Sequence, residues 1–119
     1  MISAEQVRRL AEDWIAAWND HDLERILAHY AEGVEFTSPF AVRLLADPAG
    51  TVRGKEALRA YFGRALAAYP ELRFELKQML VGVGSITVYY TSVGGLWAAE
   101  VMHLDDEGKV IKAFAHYAA

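Results

Sequence analysis

A single carboxylate, Glu100, stands in GLWAAEVMHL (residues 95 to 104), a stretch that is otherwise nearly all apolar. Burial in such surroundings disfavours the ionised form of a carboxyl. Its pKa rises, and it can donate a hydrogen bond to a ligand carbonyl or move a proton near neutral pH. The bland reading of the same residue is a glutamic acid held by neighbouring Tyr89 and Gln78 with no substrate involved. Other chemistry-bearing positions are weaker. Ser38 precedes Pro39 without a histidine placed to activate it and without a nucleophile-elbow motif, so it reads as a hydrogen-bond partner in a pocket rather than a nucleophile. His21 sits with Asp22 at a helix start, and His29 falls on a solvated face. Gly82-Val83-Gly84 precedes a strand, so it is not a nucleotide loop. The chain has no cysteine, which excludes disulfides, thiolate metal sites and cysteine nucleophiles.

The elements that position Glu100 follow from hydrophobic spacing. Ser3-Ala4-Glu5-Gln6 fits a capping box, and Val7, Leu10, Ala11, Trp14, Ile15 and Trp18 follow on one helical face to about residue 18. Asp20 can cap a second, shorter helix whose stripe is Leu23, Ile26, Leu27 and Tyr30, with Gly33 as its stop. Val34, Phe36 and Ser38 alternate with Glu35 and Thr37 in a short strand ended by Pro39. FAVRLLADPAGTVR (40 to 53) shows no sustained period and reads as a covering loop. A third helix follows from about Lys55. Its face is Leu58, Tyr61, Phe62, Ala65, Leu66 and Tyr69, Pro70 ends it, and Gly63 inside it costs ~1 kcal/mol against Ala. After Pro70 the period becomes twofold through Leu72, Phe74, Leu76, Gln78 and Leu80, and three more strands follow near 86 to 93, 96 to 104 and 109 to 117. The predicted order is ααβαββββ, an α+β class with the helices on one sheet face.

Turn lengths set which residues share that face. A two-residue hairpin at Gly94-Gly95 pairs Val93 with Leu96 and places Tyr89 opposite Glu100. A four-residue loop at Asp105 to Gly108 pairs Leu104 with Lys109 and places Glu100 opposite Ala113, with Ala98, Met102, Ala115 and Tyr117 on the same face. A four-residue loop at Gly82 to Ser85 pairs Val81 with Ile86, so Gln78 faces Tyr89. Leu72, Phe74 and Leu76 tie this face to the helices, so Glu100 points inward. The other face then carries Ile86, Val88, Tyr90, Trp97, Val101, His103, Phe114 and His116. It is too apolar to be left wet, which predicts a homodimer packed through the sheet. His103 and His116 lie opposite Glu100, so no His/Glu metal set forms with it.

The remaining bounds are compositional. A chain of 119 residues with 54% hydrophobic and 24% charged residues makes one globular domain, residues 1–119, and no apolar run approaches the ~20 residues of a bilayer crossing. The net charge of −4 and scattered Lys and Arg argue against nucleic acid. MISAEQVRRLAEDW lacks an apolar signal core, so a cytoplasmic location is expected, with no membrane partner and no cofactor.

WIAAWNDHDLERILAHYAEGVEFTSP, GKEALRAYF and AAEVMHLDDEGKV resemble the NTF2-like superfamily, in its SnoaL-like branch that includes the ketosteroid isomerases, over essentially the whole chain. The resemblance implies a cone: three helices from the N-terminal half wrapped by a curved, mostly antiparallel sheet around an apolar pocket, commonly dimeric. Ketosteroid isomerases use a carboxylate base and two donors, a tyrosine and a protonated aspartic acid. By the matched motifs the tyrosine falls on Trp14, which donates through its indole only. The base falls on Ser38, which cannot serve, and the pocket acid falls on Glu100. The implied pocket draws on Trp14, Trp18, Phe36, Ser38, Tyr61, Phe62, Gln78, Tyr89, Met102 and Tyr117, with Glu100 the candidate catalytic group. The implied function is binding of an apolar carbonyl compound, polyketide- or steroid-like, with isomerase- or cyclase-like acid/base chemistry. The alternative is a non-catalytic dimeric module whose cavity is filled by its own side chains.

Overall fold

In the computed structural model, which describes residues 2–119, Ser3 opens α1 (Ala4–Asn19) with the capping box read from the sequence. Its hydroxyl accepts from the Gln6 amide at 3.2 Å, and its own amide donates to Gln6 Oε1 at 2.8 Å. The stripe Val7, Leu10, Ala11, Trp14, Ile15 and Trp18 is buried. The second helix, α2 (Leu23–Leu27), is capped by Asp22 rather than Asp20. Asp20 closes α1, its carboxylate pairs with Arg25 Nη1 at 2.8 Å, and His21 turns the chain in the left-handed region at φ 54°. Tyr30 does not extend α2. It begins β1 (Tyr30–Thr37), which continues past Gly33 with an irregularity in its pairing between Tyr30 and Glu35.

The segment expected to be a loop holds α3 (Pro39–Leu45) and the three-residue β2 (Thr51–Arg53). Ser38 caps α3, its hydroxyl accepting from the Phe40 amide at 3.2 Å, and Pro39 takes the first helical position, where its missing N–H costs nothing. Only Ala41 of this helix is buried, so it has no apolar stripe to announce it. Gly50 pins it from below: at φ +60° an added Cβ would lie 2.6 Å from Val42 Cγ2 and 2.9 Å from the Ser38 carbonyl oxygen. Then come α4 (Lys55–Ala68), β3 (Glu75–Val81), β4 (Ser85–Thr91), β5 (Trp97–Leu104) and β6 (Val110–Tyr117). The order is ααβαβαββββ, the predicted α+β order with one short helix and one short strand added.

One six-stranded curved sheet, β2-β1-β6-β5-β4-β3, carries the helices; β1 and β6 are parallel and the other neighbours antiparallel. Its register differs from expectation at one turn. The β4–β5 connection is the three-residue loop Val93–Gly95, with the Ser92 amide donating to the Leu96 carbonyl at 2.6 Å, so Thr91 pairs with Trp97. An odd loop slides the pairing by one residue and exchanges the faces of β4. Val88, not Tyr89, lies opposite Glu100. Ile86, Val88 and Tyr90, expected outside, are buried against the helices. Tyr89, expected inside, is 40% exposed and stacks on Trp97 with ring centroids 5.1 Å apart.

The β5–β6 pairing is displaced by two residues, Glu100 opposite Ala115 rather than Ala113, with a bulge between His103 and Leu104. An even displacement keeps the face, so Ala98, Glu100, Met102, Ala113 and Ala115 are buried together as expected. In β3 the pairs Val81–Ile86 and Gln78–Tyr89 stand as read, but a bulge between Leu76 and Gln78 sends Gln78 outward with Tyr89. Val101, His103, Phe114 and His116 occupy the outer face. No helix among the described residues is long and apolar enough to cross a membrane.

Candidate functional site

Between the helices and the inner face of the sheet lies a cavity of about 470 Å³. The aromatic stripe of α1 supplies Trp14 and Trp18, and α4 supplies Tyr61 and Phe62. Phe36 comes from β1, Phe74 from the segment entering β3, Tyr90 from β4, Glu100 from β5 and Tyr117 from β6. The short helix α3 closes the side with Phe40, Arg43 and Leu44. Edge contacts lock the aromatic wall, with Trp18 to Phe62 at 4.9 Å and Trp14 to Tyr90 at 5.3 Å between ring centroids. Asn19, at the end of α1, fixes Phe74 from both sides of its peptide: Oδ1 accepts from the Phe74 amide at 2.6 Å and Nδ2 donates to its carbonyl at 2.9 Å.

Glu100 is 3% exposed at the base of this cavity. The Tyr90 hydroxyl donates to its Oε1 at 3.1 Å, and its Oε2 is buried with no partner. Burial pushes the carboxyl up to about 8, and the Tyr90 bond pulls it back only in part. At neutral pH the group is therefore mostly protonated. With Oε1 taken by Tyr90, Oε2 is the oxygen open to a ligand, and it can serve as a donor while the carboxyl is protonated. A buried polar group without a partner is costly, so an acceptor arriving there gains the difference.

The surrounding phenols are also held neutral. Burial raises Tyr90, Tyr30 and Tyr117, and the charge Glu100 would carry raises them further. Burial raises Tyr61 too, opposed by the Ser38 hydroxyl beside it. Each phenol thus acts as a hydrogen-bonding hydroxyl.

Trp14 lines the cavity, but its indole is not free: Nε1 donates to the Tyr30 hydroxyl at 3.0 Å. That corrects the expectation that Trp14 would donate to a ligand. The unpartnered indole N–H belongs to Trp18. Trp18, Phe36, Tyr61, Phe62 and Tyr117 lie on the wall. Ser38 is buried beside it, where it caps α3, and Met102 is fully buried in the core below; neither lines the cavity. Gln78 and Tyr89 are corrected outright, since both side chains stand on the outer face, away from Glu100.

Tyr90 is the cavity side chain bonded to Glu100 that sequence reasoning missed. The signal was the second glycine of Gly94-Gly95: a left-handed residue closing a three-residue loop fits it as well as a two-residue turn does. Phe40 and Arg43 were hidden with α3. Among the described residues no three His, Asp or Glu side chains gather as a metal-ligand set.

A second charged cluster has the opposite character. Asp13 of α1 accepts from Arg25 Nε at 2.9 Å and pairs with Arg25 Nη2, while His29 Nε2 lies 2.7 Å from its other oxygen. The Arg25 bonds hold the Asp13 carboxyl below its ordinary range. This cluster straps α1 to α2 and the start of β1.

The family model described as the SnoaL-like domain matches residues 11–117. A SnoaL-like protein of unknown function from Burkholderia thailandensis is 43% identical, with 100% of each chain covered and a TM-score of 0.94. SalBIII, described as an epoxide hydrolase/cyclase-like enzyme with a role in pyran ring formation in polyether salinomycin, is 19% identical; 99% of this chain and 95% of that one are covered, with a TM-score of 0.77. An NTF2-like protein of unknown function from Cytophaga hutchinsonii is 16% identical, with 99% and 95% covered and a TM-score of 0.73. At these last two identities the likeness is one of fold. Nothing among curated proteins matches the chain.

Proposed function

The chain belongs to the SnoaL-like domain family, and on that premise we propose that it binds a small apolar carbonyl compound, polyketide- or steroid-like, with Glu100 as the acid that meets the carbonyl oxygen. The observation that carries this reading is the partnerless Oε2 of Glu100 at the base of an aromatic cavity. A cavity of about 470 Å³ falls within the roughly 300–1,000 Å³ of small-molecule sites. A protonated carboxyl there donates to the carbonyl and stabilises negative charge developing on its oxygen. Glu100 is also the only carboxyl among the described residues of the wall, and the motif resemblance puts Ser38 at the position of the ketosteroid-isomerase base. The chemistry supported is therefore acid-assisted, isomerase- or cyclase-like, with Glu100 giving and recovering one proton. SalBIII, described as cyclase-like, lends the cyclase form its precedent on this fold.

The test uses 2-acetylnaphthalene as an apolar ketone. It should raise the melting temperature of the wild type and quench Trp14 and Trp18 fluorescence. Glu100→Gln keeps a donor and should bind it within about threefold, whereas Glu100→Leu should bind about tenfold more weakly, the loss of one buried hydrogen bond. Equal binding by wild type and Glu100→Leu would remove Glu100 from recognition.

The second reading, a non-catalytic dimeric ligand-binding or association module, is favoured by the outer sheet face, where Tyr89 and Trp97 are 40% and 43% exposed and stacked. A second copy covering that face would bury them. Sedimentation at micromolar concentration decides it: Trp97→Lys should convert a dimer to a monomer, and a monomeric wild type would end the association reading.

A further inference from the structure

Two of the described residues lining the cavity have ionisable charges of opposite type, one buried and one exposed. Glu100 is buried at the base. Arg43, on α3, lines the same cavity and is exposed to solvent. No other wall residue is acidic or basic. The Arg43 guanidinium lies over the Phe40 ring, 4.7 Å from its centroid, and both residues line the cavity. Among the described residues no carboxylate comes within ion-pair distance of Arg43; Arg8, Arg9, Arg64 and Arg73 are likewise without an acidic partner, but none of those four lines this cavity. An unpaired guanidinium stacked on an aromatic wall is a preorganised receptor for a planar oxyanion. In a chain of net charge −4 it is the one cationic side chain among the described residues of the cavity wall.

We infer that the ligand carries an oxyanion of the carboxylate class at the end opposite its carbonyl, paired with Arg43 at the rim while the carbonyl sits on Glu100. The inference rests on the carbonyl-pocket reading above. A neutral Glu100 neither repels that carboxylate nor competes for Arg43, so the two ends recognise different groups of one molecule. Arg43 then sets specificity and orientation: the acid end faces out and the carbonyl end enters first.

The probes are 4-(naphthalen-2-yl)-4-oxobutanoate, its methyl ester and 2-acetylnaphthalene, titrated calorimetrically at pH 7. The wild type should bind the keto acid about fivefold more tightly than the ester, the range of a half-exposed charge-assisted pair, and the preference should shrink in high salt. Arg43→Gln should bring the acid-to-ester affinity ratio to about one and remove its salt dependence, and Arg43→Lys should keep part of the preference. Equal binding of acid and ester by the wild type, or a preference that survives in Arg43→Gln, would overturn the inference while the ketone pocket stands. If none of the three probes binds, the carbonyl-pocket reading falls and this inference falls with it.

Discussion

Two carboxyls in this chain, Glu100 and Asp13, are driven in opposite directions by what surrounds them. Asp13 is half-exposed and faces Arg25 and His29, so its ionised form is favoured and it straps two helices. Glu100 is buried, faces one neutral phenol and has an empty-handed oxygen, so its protonated form is favoured. Partners and solvent, not residue type, decide which carboxyl is structural and which is available for a ligand.

The largest expected effect is on the pH dependence of stability. The folded Glu100 titrates near 8 and the unfolded one near 4.5, so between those values the folded state binds the proton that the unfolded state has released. Stability contributed by this group is intact below 4.5 and falls by about 1.4 kcal/mol per pH unit as pH rises to 8, roughly 5 kcal/mol in all. Glu100→Gln should remove that slope, so its advantage over the wild type in denaturant titrations should grow from pH 4.5 to pH 8. Parallel curves for the two proteins would place the native carboxyl in solvent.

Next in size is Tyr90→Phe. It strips the hydrogen bond from Oε1, should cost about 1–2 kcal/mol, and should push the Glu100 carboxyl higher still. Asp13→Asn sharpens the other half of the comparison. It should cost about 0.5–1 kcal/mol, because the cluster is partly exposed and screened. Its pH signature is reversed: the Asp13 carboxyl is lowered on folding, so that stability is present above 3.8 and lost as pH falls through the folded value. Smallest is Tyr89→Phe, which should leave the Glu100 titration unmoved because Tyr89 stands on the far side of the sheet. A shift there equal to that of Tyr90→Phe would overturn the observed register.

How far the site was legible in the sequence follows from how each signal propagates. Glu100 was placed correctly because facing depends only on whether a register error is odd or even, and the β5–β6 error was two residues. The β4–β5 error was one residue, which replaced Tyr90 by Tyr89 as the partner. The apolar periodicity of α1 and α4 is long and strong, so Trp14, Trp18, Tyr61 and Phe62 were found. In α3 a single buried residue supports seven helical ones, and only Ser38-Pro39 marks its start, so Phe40 and Arg43 were concealed. The bulge in β3 leaves no mark in an alternating sequence, which is why Gln78 was put on the wrong face. Nor does any spacing rule assign the Trp14 N–H to Tyr30 and leave that of Trp18 unpartnered.

The most direct test is a carbon-detected NMR titration of the Glu100 side-chain carboxyl in the wild type. A midpoint near 8 is expected, with Asp13 titrating below its ordinary range in the same experiment. A Glu100 midpoint at or below 4.5 would mean a solvated or ion-paired carboxylate, and would contradict a neutral acid waiting at the base of the cavity.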